Sequence, residues 1–317
     1  MDVVMRRGHY GAWRLACAVP AALTSAVLVT IVAAPLGRYT PLGLAGWLLV
    51  GFLLLGRWSE RAAVRAFYRL RVPAGNDRAW LEWLQAGAEH RCRVHPGRLD
   101  WYLRDDSQPN AFAAGRRSVA VTSGFLHLVK SGRLSHDQAV AVVIHEIGHH
   151  ATGGTRCGLL ADWLCWPWQA VYRAVMRLGG MLPYAEASML LLPVIFTIAI
   201  VRTARLEAPP EQLVPVLALL VTLTLGIFAA PVGDAALARA SERAADRYTT
   251  RRGAGAHLAA ALHGMTPCRP AGLLGRLHNR HPSTTARVDR LTAPRCSSTG
   301  DVYPLPGDSE TERPERI

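Results

Sequence analysis

Four apolar stretches interrupt an otherwise mixed sequence. Leu15–Leu36 and Gln212–Gly233 are each long enough to cross a hydrocarbon core of about 30 Å at about 1.5 Å per residue, and Tyr39–Gly56 just reaches that length. Ala187–Val201, held between Glu186 and Arg202, is short. As a crossing it must thin the bilayer, lean on its flanks or extend back toward Met181. Cys157–Leu178 is apolar and tryptophan-rich but broken by Asp162, Arg173 and Arg177, and it reads either as a fifth crossing or as a helix in the interface. Arg6, Arg7 and Arg14 before the first stretch also fit a secretory signal, but the Ala33-Ala34 step is followed by Pro35 and a second apolar run begins almost at once, which favours an uncleaved hairpin. Arg57, Arg61, Arg65, Arg69 and Arg71 follow the hairpin whereas only Arg38 lies inside it, so the positive-inside rule puts the N-terminus and the segment after Gly56 in the cytoplasm.

Between the hairpin and about Gly154 the periodicity is that of a folded soluble unit. Asp77 is placed to cap a helix carrying Trp80, Leu81, Trp83 and Leu84. Leu99–Leu103 and Val119–Thr122 have the alternation and β-branched content of short strands, with Gly115-Arg116-Arg117-Ser118 as a turn, which implies a small sheet. Ser135-His136-Asp137-Gln138 is a capping-box pattern, and the apolar run that follows predicts a helix ending near Gly153-Gly154. Asp234–Thr250 predicts an alanine-rich helix stopped by Gly253. From about Ser298 the residues are Pro, Gly, Ser and charges of both signs, the composition of a disordered tail.

Composition agrees with a chain partly in lipid: half of the 317 residues are hydrophobic and the mean hydropathy is +0.13. A formal charge of +13 raises the question of nucleic acid. Lys130 is the only lysine, the arginines are scattered, and no basic run alternates with stacking aromatics. The charge is read instead as juxtamembrane arginine facing anionic lipid, with no nucleic-acid partner. The six cysteines, Cys17, Cys92, Cys157, Cys165, Cys268 and Cys296, have no CxxC spacing and read as unpaired thiols in a reducing compartment.

The chemistry is carried by His145-Glu146-Ile147-Gly148-His149. Residues four apart share a helical face, so both imidazoles can reach one metal, and Glu146 lies beside them, able to take a proton from an attacking water. A catalytic zinc site needs a third protein donor. Glu242 and Asp246, again four apart on a predicted helix, offer one carboxylate as ligand and the other as partner for a ligating histidine, although such a pair also suits a solvated face.

The whole pattern resembles the HtpX and CAAX prenyl-endopeptidase family of membrane zinc proteases, over roughly Asn110 to Leu291. Four pieces occur in the family's order: Pro109–Ala113 with Val119–Gly124, the His145–His149 motif, Ser241–Asp246 as its ExxxD, and His281–Arg287 as its HPxxxxR. The resemblance implies a mainly α, multi-pass membrane protein in which an α+β zincin-like domain is fused to four transmembrane helices. It implies one zinc per chain held by His145, His149 and Glu242, Glu146 as catalytic base, and Asp246 behind the ligands. His281 and Arg287 would approach the zinc as oxyanion donors, as a gate, or as a structural anchor to a carboxylate such as Asp246. Family members often carry Asp or His five residues after the second histidine; here Gly154 stands there, so that outer contact is missing or supplied elsewhere. Asn110, Ala111, Phe112 and Ala113 are expected either as a sheet edge that pairs with extended substrate or as a turn leading into the sheet.

His149 and Glu242 must meet at one ion, so an even number of crossings separates them. Ala187–Val201 and Gln212–Gly233 supply two, which assigns Cys157–Leu178 to the interface or the soluble unit. The resulting layout is a transmembrane hairpin over 1–56, protease parts over 57–186 and 234–297, a second hairpin over 187–233 and a tail over 298–317. Both termini and the active site are cytoplasmic, positions near Arg38 and Glu207 are outside, and Gly180 is inside. The partners expected are a protein or peptide substrate and the lipid bilayer, with a homo-oligomer left open. Three functions compete: an endopeptidase acting on membrane or misfolded proteins at the cytoplasmic face, a dedicated prenyl-type processing enzyme, and a membrane sensor built on a zinc domain.

Overall fold

With no charged residue between Arg14 and Arg38, nothing in the sequence stops the first helix until a proline-glycine turn, and α1 (His9–Ala33) is followed by a short 3-10 turn and α2 (Thr40–Leu53). The structure is a computed structural model that describes residues 9–95, 97–155, 157–179, 194–195, 197–203, 205, 209–265 and 283–293. Among these, two helical stretches, Tyr10–Leu53 and Leu213–Arg251, are long and apolar enough to cross a membrane.

After the hairpin come α3 (Arg57–Phe67), β1 (Leu70–Arg71), α4 (Gly75–Cys92), β2 (Asp100–Arg104), β3 (Ala111–Ala114) and β4 (Ser118–Thr122). The sheet order is β1-β2-β4-β3, with β2 and β4 parallel and the other pairs antiparallel, which leaves β3 on an edge. Helices α5 (Ser123–Lys130) and α6 (His136–Thr152) follow directly. Ser135 caps α6 in a complete capping box with Gln138, and Gly153, at φ 81°, ends it in a left-handed turn that costs glycine little. Asp77 does not cap α4: the helix starts earlier, at Gly75, because Asp77 is drawn into ion pairs with Lys130 and Arg71.

One sheet face, through Leu103, Val119 and Val121, packs with α4 (Leu81, Leu84), α5 (Phe125, Leu126) and the buried run Val140–Ile144 of α6. The other, through Tyr102, Ala114 and Ala120, packs on Val64 of α3, Leu159 and partly buried Leu54, at the ends of the apolar helices. The sheet is therefore a floor between the metal helix and the apolar bundle. Two of the juxtamembrane arginines face this floor instead of lipid: Arg61 binds both oxygens of Asp100, and Arg71 pairs with Asp77 and Asp105.

The stretch expected as an interfacial or soluble helix over 157–178 forms α7 (Gly158–Gly179). It runs beside α1 in the same direction: Arg14 pairs with Asp162, the Cys165 thiol contacts the Ala18 carbonyl, Ser25 accepts from the Trp168 amide, and Leu28 lies in the same cluster as Tyr172. Trp163 donates to the Trp47 carbonyl of α2. Of the three charges that break this stretch, Asp162 is matched by Arg14 at 3.1 Å and by the Tyr68 hydroxyl at 2.6 Å. Helix α8 (Pro210–Thr224), a π-helical turn over Leu225–Ala229 and α9 (Ala230–Arg251) run the opposite way along α1, from Thr222 near Thr24 to Gly233 near Cys17. The π turn leaves the Gly226 carbonyl to accept the buried Trp168 indole N–H. The last described elements are α10 (Gly255–Met265) and α11 (Thr284–Thr292), which pack against α6 and α9. The Ala187–Val201 segment falls partly, and the tail from Ser298 wholly, outside the described residues.

Candidate metal centre

Helices α6 and α9 cross where Gly148 has no side chain: a Cβ there would lie 3.2 Å from the Ala245 Cα and from the Tyr248 ring. This close approach brings Glu242 under the two histidines of α6. His145, His149 and Glu242 each offer a donor atom, all within 4.8 Å of one another. The His145 Nε2 is 3.3 Å from Glu242 Oε2, and the His149 Nε2 is 3.7 Å from Glu242 Oε1. The opposite ring nitrogens are engaged elsewhere, His145 Nδ1 at 3.1 Å from Asp246 Oδ1 and His149 Nδ1 at 3.0 Å from Ser241 Oγ. Both Nε2 atoms are thereby turned toward the carboxylate. Two imidazoles and one carboxylate in a buried setting fit zinc, whose catalytic sites take three such donors and keep one position open.

The electrostatics of these groups point the same way. Burial works against a charged His145, yet hydrogen bonding to Asp246 and Glu242 overrides it and raises the imidazole to about 9. For His149, burial and the charge of His145 act together and lower it to about 3. The two rings, edge to face with centroids 4.9 Å apart, thus share a single positive charge. The surrounding carboxylates favour a cation at this point.

Glu146 points from the same helix turn toward the sheet, where its Oε2 accepts from the Ala113 N–H at 2.9 Å. Burial pushes its carboxyl up to about 7, with His145 opposing and Glu242 adding to the shift. The register explains why Ala113 is available. Thr122 donates to the Asn110 carbonyl, so Asn110 and Phe112 use their backbone groups inside the sheet, and Ala111 and Ala113 direct theirs outward from the edge. The four-residue edge expected from the sequence thus divides into two residues facing in and two facing out.

Arg287 enters from α11, only 8% exposed. Its Nη2 and Nε reach the two oxygens of Asp246 at 2.7 and 3.2 Å, and its Nη1 lies 3.1 Å from Glu242 Oε2. Nη2 also lies 3.3 Å from His145 Nε2. Its nitrogens are committed to the two carboxylates, the arrangement of an anchor. Ser283, which caps α11, is in place, whereas His281 lies outside the described residues.

Two neighbours of the site were not singled out by the sequence. Ser241 was quoted only as part of a motif, and nothing in its context marks a contact with His149. His150 ties α6 to the sheet: Nε2 is 2.9 Å from the Ser118 carbonyl and Nδ1 is 3.0 Å from the Thr155 hydroxyl.

The sequence profile of peptidase family M48 matches residues 93–295, which contain every residue of the centre. Protease HtpX of Psychrobacter sp. (strain PRwf-1) is 31% identical over 105 residues, a match covering 32% of this chain and 32% of that protein, so the alignment spans about a third of the relative's length. Among solved structures, the crystal structure of S. mikatae Ste24p aligns at 17% identity with a TM-score of 0.42, covering 84% of this chain and 61% of that one.

Proposed function

Because this chain belongs to peptidase family M48, we propose that it is a membrane-embedded zinc endopeptidase in which His145, His149 and Glu242 hold the metal and Glu146 is the general base. The observation that carries this reading is the convergence of the three donors within 4.8 Å beside a carboxylate that faces a sheet edge. Bound zinc would supply Lewis-acid chemistry, making a water acidic near pH 7 and polarising a scissile carbonyl. Glu146 takes the proton of the attacking water and returns it to the leaving amine, a role suited to a carboxyl whose pKa lies near neutrality. The Ala113 N–H holds that carboxylate in place, and the outward groups of Ala111 and the Ala113 carbonyl pair with an extended substrate backbone. Asp246 orients His145, and Arg287 fixes Asp246 and Glu242 by bridging them.

The substrates under this reading are membrane or misfolded proteins at the cytoplasmic face. The layout has four crossings, α1, α2, α7 and the α8–α9 segment up to Gly233. Its support is the parallel course of α7 along α1 and the antiparallel return of α8 and α9, which together satisfy the even number of crossings between His149 and Glu242. From Asp162 to Gly179, α7 rises about 26 Å at about 1.5 Å per residue, close to the hydrocarbon thickness.

The test is a Glu146→Gln protein reconstituted in liposomes with an unfolded substrate. It should bind one zinc per chain and cleave nothing. Cleavage by the fully loaded variant would overturn the assignment.

A further inference from the structure

The two proposed imidazole ligands are supported unequally, and the difference is built into one glycine. His145 has a carboxylate, Asp246, beside its Nδ1, whereas His149 has only the Ser241 hydroxyl, at 3.0 Å. Ser241 directly precedes the proposed ligand Glu242 on α9, so one helix turn supplies both the carboxylate and the group behind His149. The hydroxyl has room there because residue 154 lacks a side chain: a Cβ on Gly154 would sit 2.6 Å from Ser241 Oγ, a contact that forces one of the two to move. Gly154 cannot easily retreat. Its N–H donates to the His149 carbonyl at 3.0 Å, and its own carbonyl accepts from Arg14 Nη1 at 3.1 Å, which pins it to α1.

We propose that Ser241 is the positioning residue of His149, accepting the Nδ1 proton and so presenting the Nε2 lone pair to zinc, and that Gly154 is required because it leaves the space Ser241 occupies. A hydroxyl does for His149 what a carboxylate does for His145, without adding a charge. The ring is held in one tautomer and one orientation, while the positive charge of the bound ion is neutralised by fewer carboxylates. This rests on the metal centre proposed above and adds a specific dependence to it: two residues that touch no metal, one on α9 and one in the turn that follows α6, are coupled through their side-chain volume.

The test uses the full-length protein in detergent, with zinc affinity measured by competition against a chromophoric chelator and the His149 tautomer read from histidine ¹⁵N shifts. Ser241→Ala should lower zinc affinity about 10–100-fold and mix the His149 tautomers. Ser241→Thr, which keeps the hydroxyl, should restore both. Gly154→Ala should reproduce the Ser241→Ala loss with Ser241 still present, because the added methyl displaces Oγ. A Ser241→Ala protein that melts like the parent and holds zinc as tightly, or a Gly154→Ala protein of parental affinity, would overturn the proposal. A parent chain that binds no zinc would instead overturn the metal centre itself, so the two failures are separable.

Discussion

Replacing Arg287 by methionine removes one cation from between two buried carboxylates while keeping most of the side-chain volume. The guanidinium reaches Asp246 through two bonds and Glu242 through one, and all three side chains are at most 10% exposed. Breaking a buried pair from one side costs about 3–5 kcal/mol, because the partner is left as an uncompensated charge. With two carboxylates stranded, the upper half of that range applies to the protein in excess chelator. At about 2–4 °C per kcal/mol for a unit of this size, the melting temperature should fall by roughly 8–20 °C. Zinc should recover more of this loss in the variant than it adds to the parent, since a divalent cation beside Glu242 neutralises the same charges and no longer faces the nearby guanidinium. The assay is a thermal-shift series in detergent over a range of free zinc. Arg287→Lys, which supplies a point charge but no fork, should fall between the two. An Arg287→Met protein with parental melting temperature and a large loss of turnover would refute the anchoring argument and return Arg287 to direct contact with substrate.

Two further outcomes follow from the helices and from His150. A single cysteine placed at Gly180 in a functional background should be labelled by an impermeant reagent from outside, whereas labelling from the cytoplasmic side alone would return α7 to the interface. Burial lowers His150 to about 4, against the opposing pull of its bonds to the Ser118 and Arg116 backbone. The unfolded chain takes the proton near pH 6.5 and the folded one refuses it, so this contribution is full above 6.5 and is lost as pH falls toward 4, a change of about 3 kcal/mol. His150→Gln should flatten the stability profile over that window, and an unchanged slope would refute the assignment.

Much of the centre was legible because its information is local. The capping box of Ser135 and Gln138 and the four-residue spacings of His145 with His149 and Glu242 with Asp246 each lie within one or two helical turns, where the 3.6-residue period fixes geometry. The packing of α7 along α1 was not legible, because it is carried by pairs such as Asp162 with Arg14, 148 residues away. Asp77 misled for the same reason: a residue well suited to cap its own helix is instead bound by Lys130 and Arg71. Ser241 lay beyond reading because its role depends on the space above Gly154, which exists only once α6 and α9 cross.

The donors of the centre are also separated in time. Arg287 follows His145 by 142 residues, with the later apolar helices between them. At a synthesis rate of roughly 5–20 residues per second, the HExxH helix waits about 7–28 s on the ribosome-bound chain before its last buried partner is made. For the first two thirds of that interval the chain lacks Glu242, and throughout it lacks the arginine that holds it. The proposed centre is therefore completed last, by chain order alone, after the apolar helices that separate its parts.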